Sequence, residues 1–150
     1  MAAIREIVAA ASHEQVMGDT EGALDWLGRQ RFANERAIGI TGFCWGGSVV
    51  WMAAARFSRI KAGVAWYGRL VAPQAGGFAS NEQRPWPVDV AANLRTPVLG
   101  LYAENDRGIL LALAEAMRTA LRAAGNGSRS TIITYEGVGH GFHADYRESY

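Results

Sequence analysis

Short apolar runs alternate with longer helical stripes along the 150 residues of this chain. Ser12, with Gln15 three positions on, has the spacing of a helix-capping pair, and Val16, Thr20, Ala23 and Leu27 then share one helical face. That pattern predicts a helix reaching about Gln30. Ala37 to Gly42 is short, apolar and β-branched without polar alternation, as expected of a strand buried on both faces of a parallel sheet. A second helix is expected from about Trp45 to Phe57. Ala62 to Tyr67 and Pro97 to Tyr102 read as further strands, the latter opened by a proline where one is tolerated. Leu110, Leu113, Ala114, Met117 and Leu121 make a helical stripe ending at Gly125, and Thr131 to Tyr135 supplies a fourth strand. The alternation predicts the α/β class: a mostly parallel sheet flanked by helices, in one domain over residues 1–150. The Pro/Gly-rich stretch from Pro73 to Pro87 is expected to be a loop within it.

Charge narrows the partners. Fifteen Lys and Arg face 14 Asp and Glu, scattered from Arg5 to Arg147, so neither a nucleic acid nor an anionic membrane has a footprint to bind. No apolar run approaches the roughly 20 residues of a membrane span, and the acidic residues of MAAIREIVAAASHEQ are unlike a signal segment, so a soluble, cytoplasmic protein is expected. The chain's one cysteine, Cys44, can form no internal disulfide and no multi-thiolate metal site; its value lies in packing or in thiol chemistry. His140, His143 and Asp145 are not clearly on one face and lack a fourth ligand, so no metal is expected. Gly76-Gly77 is too weak a signal for a phosphate loop, and no cofactor is expected. His13 reads as a surface residue.

In sheets of this class, function sits in loops at the carboxyl ends of the strands. The first such loop is Gly42-Phe43-Cys44-Trp45-Gly46-Gly47, which leads straight into a helix and has the form of a nucleophile elbow with Cys in place of Ser. The nucleophile of such a turn occupies strained backbone, and Gly42 and Gly46 are expected to avoid collisions across it. The helix N-terminus favours the thiolate, and the Trp45 N–H is placed to donate to a developing oxyanion. The loop after Tyr102 offers Asp106, and the loop after Tyr135 offers His140. Cys44, Asp106, His140 is the nucleophile–acid–base order of α/β-hydrolases. Glu104 competes for the role of acid and His143 for that of base. Trp45 and Trp51, six apart on the helix, are expected to pack rather than bind, whereas Trp66, Tyr67 and Trp86 are candidates to line an apolar pocket near the strand ends.

The segments IGITGFCWGGSVVWMAA, TPVLGLYAENDRGI and GVGHGFHADYRESY resemble the dienelactone hydrolase (carboxymethylenebutenolidase) family of α/β-hydrolases, in register from about Asp19 to Tyr150. The resemblance implies Cys44 as nucleophile, Asp106 as triad acid, His140 as its histidine and Trp45 as an oxyanion-hole amide. It implies a small-molecule ester or lactone substrate opened through a thioacyl intermediate, with no cofactor. Family members continue at both ends, so the chain is expected to be a partial domain, without the N-terminal strands and a C-terminal helix. The arginine that grips the substrate carboxylate in the well-studied type is replaced here by Ala144, leaving Arg69 or Arg147 to take its place, with Tyr67 and Trp86 beside the substrate. Rival expectations are a silent remnant of the fold that binds lactones, an acyltransferase using the same triad, and a redox protein, which the lack of a second cysteine disfavours.

Overall fold

The computed structural model describes residues 10–73, 84–125, 127 and 129–146. Four strands, β1 (Ile38–Phe43), β2 (Ile60–Trp66), β3 (Val98–Ala103) and β4 (Thr131–Tyr135), lie side by side in chain order, and every pairing is parallel. Helices α1 (His13–Gly28), α2 (Trp45–Arg56) and α3 (Leu111–Ala123) pack with them. Parallel neighbours need crossover connections, and α2 and α3 provide two of the three. The expected α/β class is therefore the observed one. Among the described residues no helix is long and apolar enough to cross a membrane.

The core explains the layering. Val50, Trp51 and Ala54 of α2 meet Ala114, Met117 and Leu121 of α3 above Ala65, Val98, Tyr102 and Ile132 of the sheet, so both helices cover the same face. The Trp51 indole donates to the Tyr102 hydroxyl at 3.2 Å inside this core, satisfying both buried polar groups. Leu24 of α1 joins Ile38, Ala53 and Ile60 in a smaller cluster at the β1 side.

Three expectations need correction. Only β3 is covered along its length; Gly39, Thr41 and Phe43 of β1 are exposed, as are Thr131, Ile133 and Tyr135 of β4. The apolar runs at the edges fit strands buried on one face, because β-branched residues suit a pleated surface whether or not its second face is covered. On α1 the buried stripe is Met17 and Leu24 with Leu27 beside it, whereas Ala23 is exposed. The capping end is as expected, with the Ser12 hydroxyl accepting from the Gln15 N–H at 3.1 Å. His13 is half-buried, and desolvation lowers its pKa. Much of the Pro73 to Pro87 loop, including Gly76-Gly77, lies outside the described residues, as do the first nine residues and Arg147. Directly after that loop Pro87–Asn93 forms a 3-10 helix between α2 and α3, a turn held by the Asp89 carboxylate accepting from the Trp86 N–H at 2.9 Å.

Candidate active site

Between the last residue of β1 and the first of α2 there is room for one residue, and that residue is Cys44. Its backbone has φ 52° and ψ −119°, outside the favoured regions for a side-chain-bearing residue. A Cβ at Gly42 would sit 2.4 Å from the Gly46 carbonyl oxygen, so position 42 must be glycine for the turn to close. Gly46 differs from expectation: a Cβ there meets nothing within 4 Å. The second tight contact involves Gly47, where a Cβ would lie 2.6 Å from the Trp66 carbonyl and 2.9 Å from Gly68 Cα. The start of α2 thus rests backbone on backbone against the end of β2. The Cys44 N–H donates to the Trp66 carbonyl at 3.0 Å, and Trp45 supplies one of the first N–H groups of α2, which no intrahelical bond uses.

The candidate acid comes from the loop after β3. Asp106 is buried, and its Oδ1 accepts from the N–H groups of Gly108 at 2.8 Å and Ile109 at 3.0 Å. Oδ2 is left for His140, whose Nδ1 lies 2.6 Å away. The other ring nitrogen, Nε2, is 3.2 Å from Cys44 Sγ. Burial pushes the Asp106 pKa up, but the hydrogen bonds from His140, Gly108 and Ile109 outweigh it and hold the carboxyl below its usual range. His140 is raised to about 9, first by its hydrogen bond to Asp106 and then by the one to Cys44, against an opposing desolvation. The structure brings Cys44, His140 and Asp106 into one hydrogen-bonded line.

The two rivals sit elsewhere. Glu104 accepts from the Gly137 N–H at 2.9 Å and so links the acid loop to the histidine loop rather than reaching the imidazole. His143 lies against Phe43 and Trp66, with ring centroids 5.2 and 4.5 Å away. Among the described residues no group of three His, Cys, Asp or Glu side chains is arranged so that it could hold a metal ion.

Cys44 and His140 open into a cavity of about 640 Å³, a volume typical of small-molecule sites. The candidates Tyr67, Arg69 and Trp86 line it together with Asp106, and so does Trp45, whose side chain was expected to pack instead. Trp66 does not. It points to the other face of the sheet, where its indole donates to Thr41 Oγ1 at 3.2 Å; a strand's alternation sends neighbours to opposite faces. Tyr67 escapes that alternation with a φ of 38°, its ring edge-on to His140 at 5.0 Å. Among the lining residues that were not anticipated are the polar side chains of Ser48, Arg84, Asn105 and Arg107. Asn105 and Arg107 flank the expected acid, so a search of its neighbours would have found them. Arg84, whose guanidinium lies 4.4 Å from the Trp86 ring centroid, carried no signal beyond its place in the loop.

Comparison with known proteins gives a consistent picture. The profile of the "Dienelactone hydrolase family" matches residues 1–150. A protein of Methylorubrum extorquens named "Putative carboxymethylenebutenolidase" is 45% identical over 147 residues, covering 98% of this chain and 48% of the relative. One of the same name from Escherichia coli K12 is 42% identical over 144 residues, covering 96% and 50%. A crystal structure titled as a putative dienelactone hydrolase from Klebsiella pneumoniae superposes with a TM-score of 0.85 at 40% identity, over 95% of this chain and 56% of that one. An acylaminoacyl peptidase of Pyrococcus horikoshii shares the fold, with a TM-score of 0.72 at 21% identity over 88% of this chain and 24% of that one. The chain spans about half the length of the curated relatives it matches.

Proposed function

Since the chain belongs to the dienelactone hydrolase family, we propose that it carries the catalytic centre of a hydrolase that opens small esters or lactones through Cys44, His140 and Asp106. The observation that carries this reading is the unbroken line from Cys44 Sγ through His140 to Asp106, 3.2 and 2.6 Å per step, at the wall of a cavity large enough for a small ester.

The chemistry follows from the geometry. The Cys44 proton passes to His140 Nε2, and the sulfur pair attacks the carbonyl carbon while the C=O pair moves onto oxygen, where the Trp45 N–H donates. The oxyanion collapses, the C–O bond breaks, and His140 returns the proton to the departing alkoxide; in a lactone that group stays tethered to the acyl chain. Water then attacks the thioester with His140 as base, freeing the acid and the thiol. Asp106 fixes the imidazole tautomer and favours the imidazolium that forms in each half. The lining also suggests which substrates suit the site. Arg69, Arg84 and Arg107 share the wall with Tyr67 and Trp86, and the lining carboxylate, Asp106, is engaged by His140. An ester or enol-lactone bearing a carboxylate beside an unsaturated ring matches that mixture of positive charge and apolar surface.

Intact-mass analysis of the gene product mixed with p-nitrophenyl acetate, beside the mono-p-nitrophenyl ester of succinate, tests the reading. An acyl adduct mapping to Cys44, absent in Cys44→Ala and formed roughly 10²- to 10⁴-fold more slowly in His140→Ala, is expected. The anionic ester should show the lower KM. A folded protein giving neither adduct nor nitrophenol with either ester overturns the proposal.

A further inference from the structure

Two neighbouring rings of the histidine loop, Phe142 and His143, rest on the aromatic side chains at the ends of the strands. Phe142, which lies outside the cavity lining, packs edge-on to Tyr67 at 5.3 Å and also meets Tyr135 at 5.1 Å and Trp66 at 6.1 Å, and Tyr67 in turn meets the His140 ring. The His143 ring lies nearly parallel to Phe43, 12° between planes with centroids 5.2 Å apart, and 4.5 Å from Trp66. Phe43 and Trp66 are register partners on neighbouring strands and are themselves stacked at 5.4 Å. Both also adjoin the nucleophile: Phe43 precedes Cys44 in the chain, and the Trp66 carbonyl accepts the Cys44 N–H. Trp66 is further fixed by its bond to Thr41, whose hydroxyl donates to the Val64 carbonyl at 3.2 Å.

From this juxtaposition we propose that His143 is a positioning residue: stacked on Phe43 and Trp66, its ring ties the histidine loop to the elbow and so sets the separation of His140 Nε2 from Cys44 Sγ. The inference rests on the acyl-transfer chemistry proposed for Cys44. His143 and His140 are joined through Gly141, with φ 79°, in a compact turn closed by the Ala144 N–H on the Gly141 carbonyl at 2.8 Å, so a shift of one ring moves the other. His143 is exposed and Phe43 is 43% exposed, so their stack buries little surface; its consequence is relative placement. His143 lies outside the cavity lining, so proton transfer to substrate is not its task. The role belongs to a flat ring in this place, and phenylalanine can fill it.

The test uses the intact gene product with His143→Ala, His143→Phe, Phe43→Ala and the double Ala variant, and His140→Ala as the floor. Two rates are read, with thermal melting as a check of folding. One is alkylation of Cys44 by iodoacetamide, which needs no ester turnover; the other is steady-state hydrolysis of p-nitrophenyl acetate. His143→Ala is expected to lower kcat about tenfold with KM within about twofold of the parent, because misplacement acts on the reacting atoms more than on binding. Its alkylation rate should move towards that of His140→Ala. His143→Phe restores both rates, and the double variant is no slower than the worse single one, since either loss removes the same contact. The proposal is overturned if His143→Phe is as impaired as His143→Ala, or if His143→Ala alkylates and turns over like the parent. A parent that alkylates readily but hydrolyses nothing refutes the hydrolase reading instead, and the alkylation series still decides the role of His143.

Discussion

The two partners of the sulfur–imidazole pair are held in place by different means. Around Cys44 the contacts are backbone on backbone: Gly42 against Gly46, and Gly47 against Gly68 and the Trp66 carbonyl. Around His140 side chains carry a large share, namely Asp106 on the ring, Glu104 on the Gly137 N–H, and the aromatic rings of Phe142 and His143, beside main-chain bonds such as that from the Asn105 N–H to the Val138 carbonyl at 2.9 Å. Main chain cannot step aside to admit an added atom, whereas side chains stop working when atoms are taken away. The elbow is therefore sensitive to enlargement and the histidine loop to truncation, which fits the roles proposed for them, a nucleophile fixed in the sheet and a base that turns between two proton partners.

Gly42→Ala tests the first half and should have the largest effect. Its Cβ would stand 2.4 Å from a carbonyl oxygen and 2.6 Å from the carbonyl carbon of Gly46, so the β1-to-α2 turn must reopen. A loss of about 3 kcal/mol in urea unfolding is expected, together with loss of Cys44 acylation. A variant with parent stability and acylation would show that the elbow yields more readily than its contacts indicate. Glu104→Ala tests the second half. It removes the acceptor for the Gly137 N–H at an exposed site, so a loss of about 1 kcal/mol is expected. Here acylation should slow while the melting transition stays cooperative; a rate equal to the parent's would mean that Asp106 and the rings hold the loop without help.

The same contrast explains what could be read from the residues alone. The elbow was legible because its constraint is local: a glycine two residues before Cys44 and a glycine pair after it leave few turns that fit, although Gly47 rather than Gly46 makes the tight contact. Asp106 and His140 were legible as loop positions following apolar strands, with Glu104 and His143 as rivals. Choosing between the rivals required three-dimensional distances, since both pairs lie within three residues of one another. The placement of Trp66 and Tyr67 on opposite faces turns on where β2 stops, and boundaries are weakly encoded because the last strand bonds depend on the neighbour. The exposure of Phe43 and Ile133 was hidden for a related reason: a β-branched or aromatic run looks the same whether one face or two is covered.

Proton linkage separates the two halves with the smallest effect. His140 is raised from 6.5 to about 9 by Asp106 and Cys44, so the folded state binds this proton more tightly than the unfolded chain does. The stabilisation from the charged imidazole is complete below about pH 6.5 and is lost as pH rises through about 9. Asp106 behaves in the opposite sense: its stabilising part is present above its ordinary pKa of 3.8 and is lost as pH falls through the lowered value, well clear of that window. The His140 side chain is 42% exposed, so water screens the effect and its amplitude is modest. Melting temperatures of the parent, His140→Gln and Gly42→Ala, taken from pH 6.5 to 9, should give two different difference curves. The gap between parent and His140→Gln narrows as pH rises. The gap between parent and Gly42→Ala stays level, because a carbonyl collision carries no proton. A His140→Gln gap that is also level would mean that the imidazole gains no charge stabilisation from Cys44 and Asp106, and that contacts independent of its proton hold the histidine loop just as they hold the elbow.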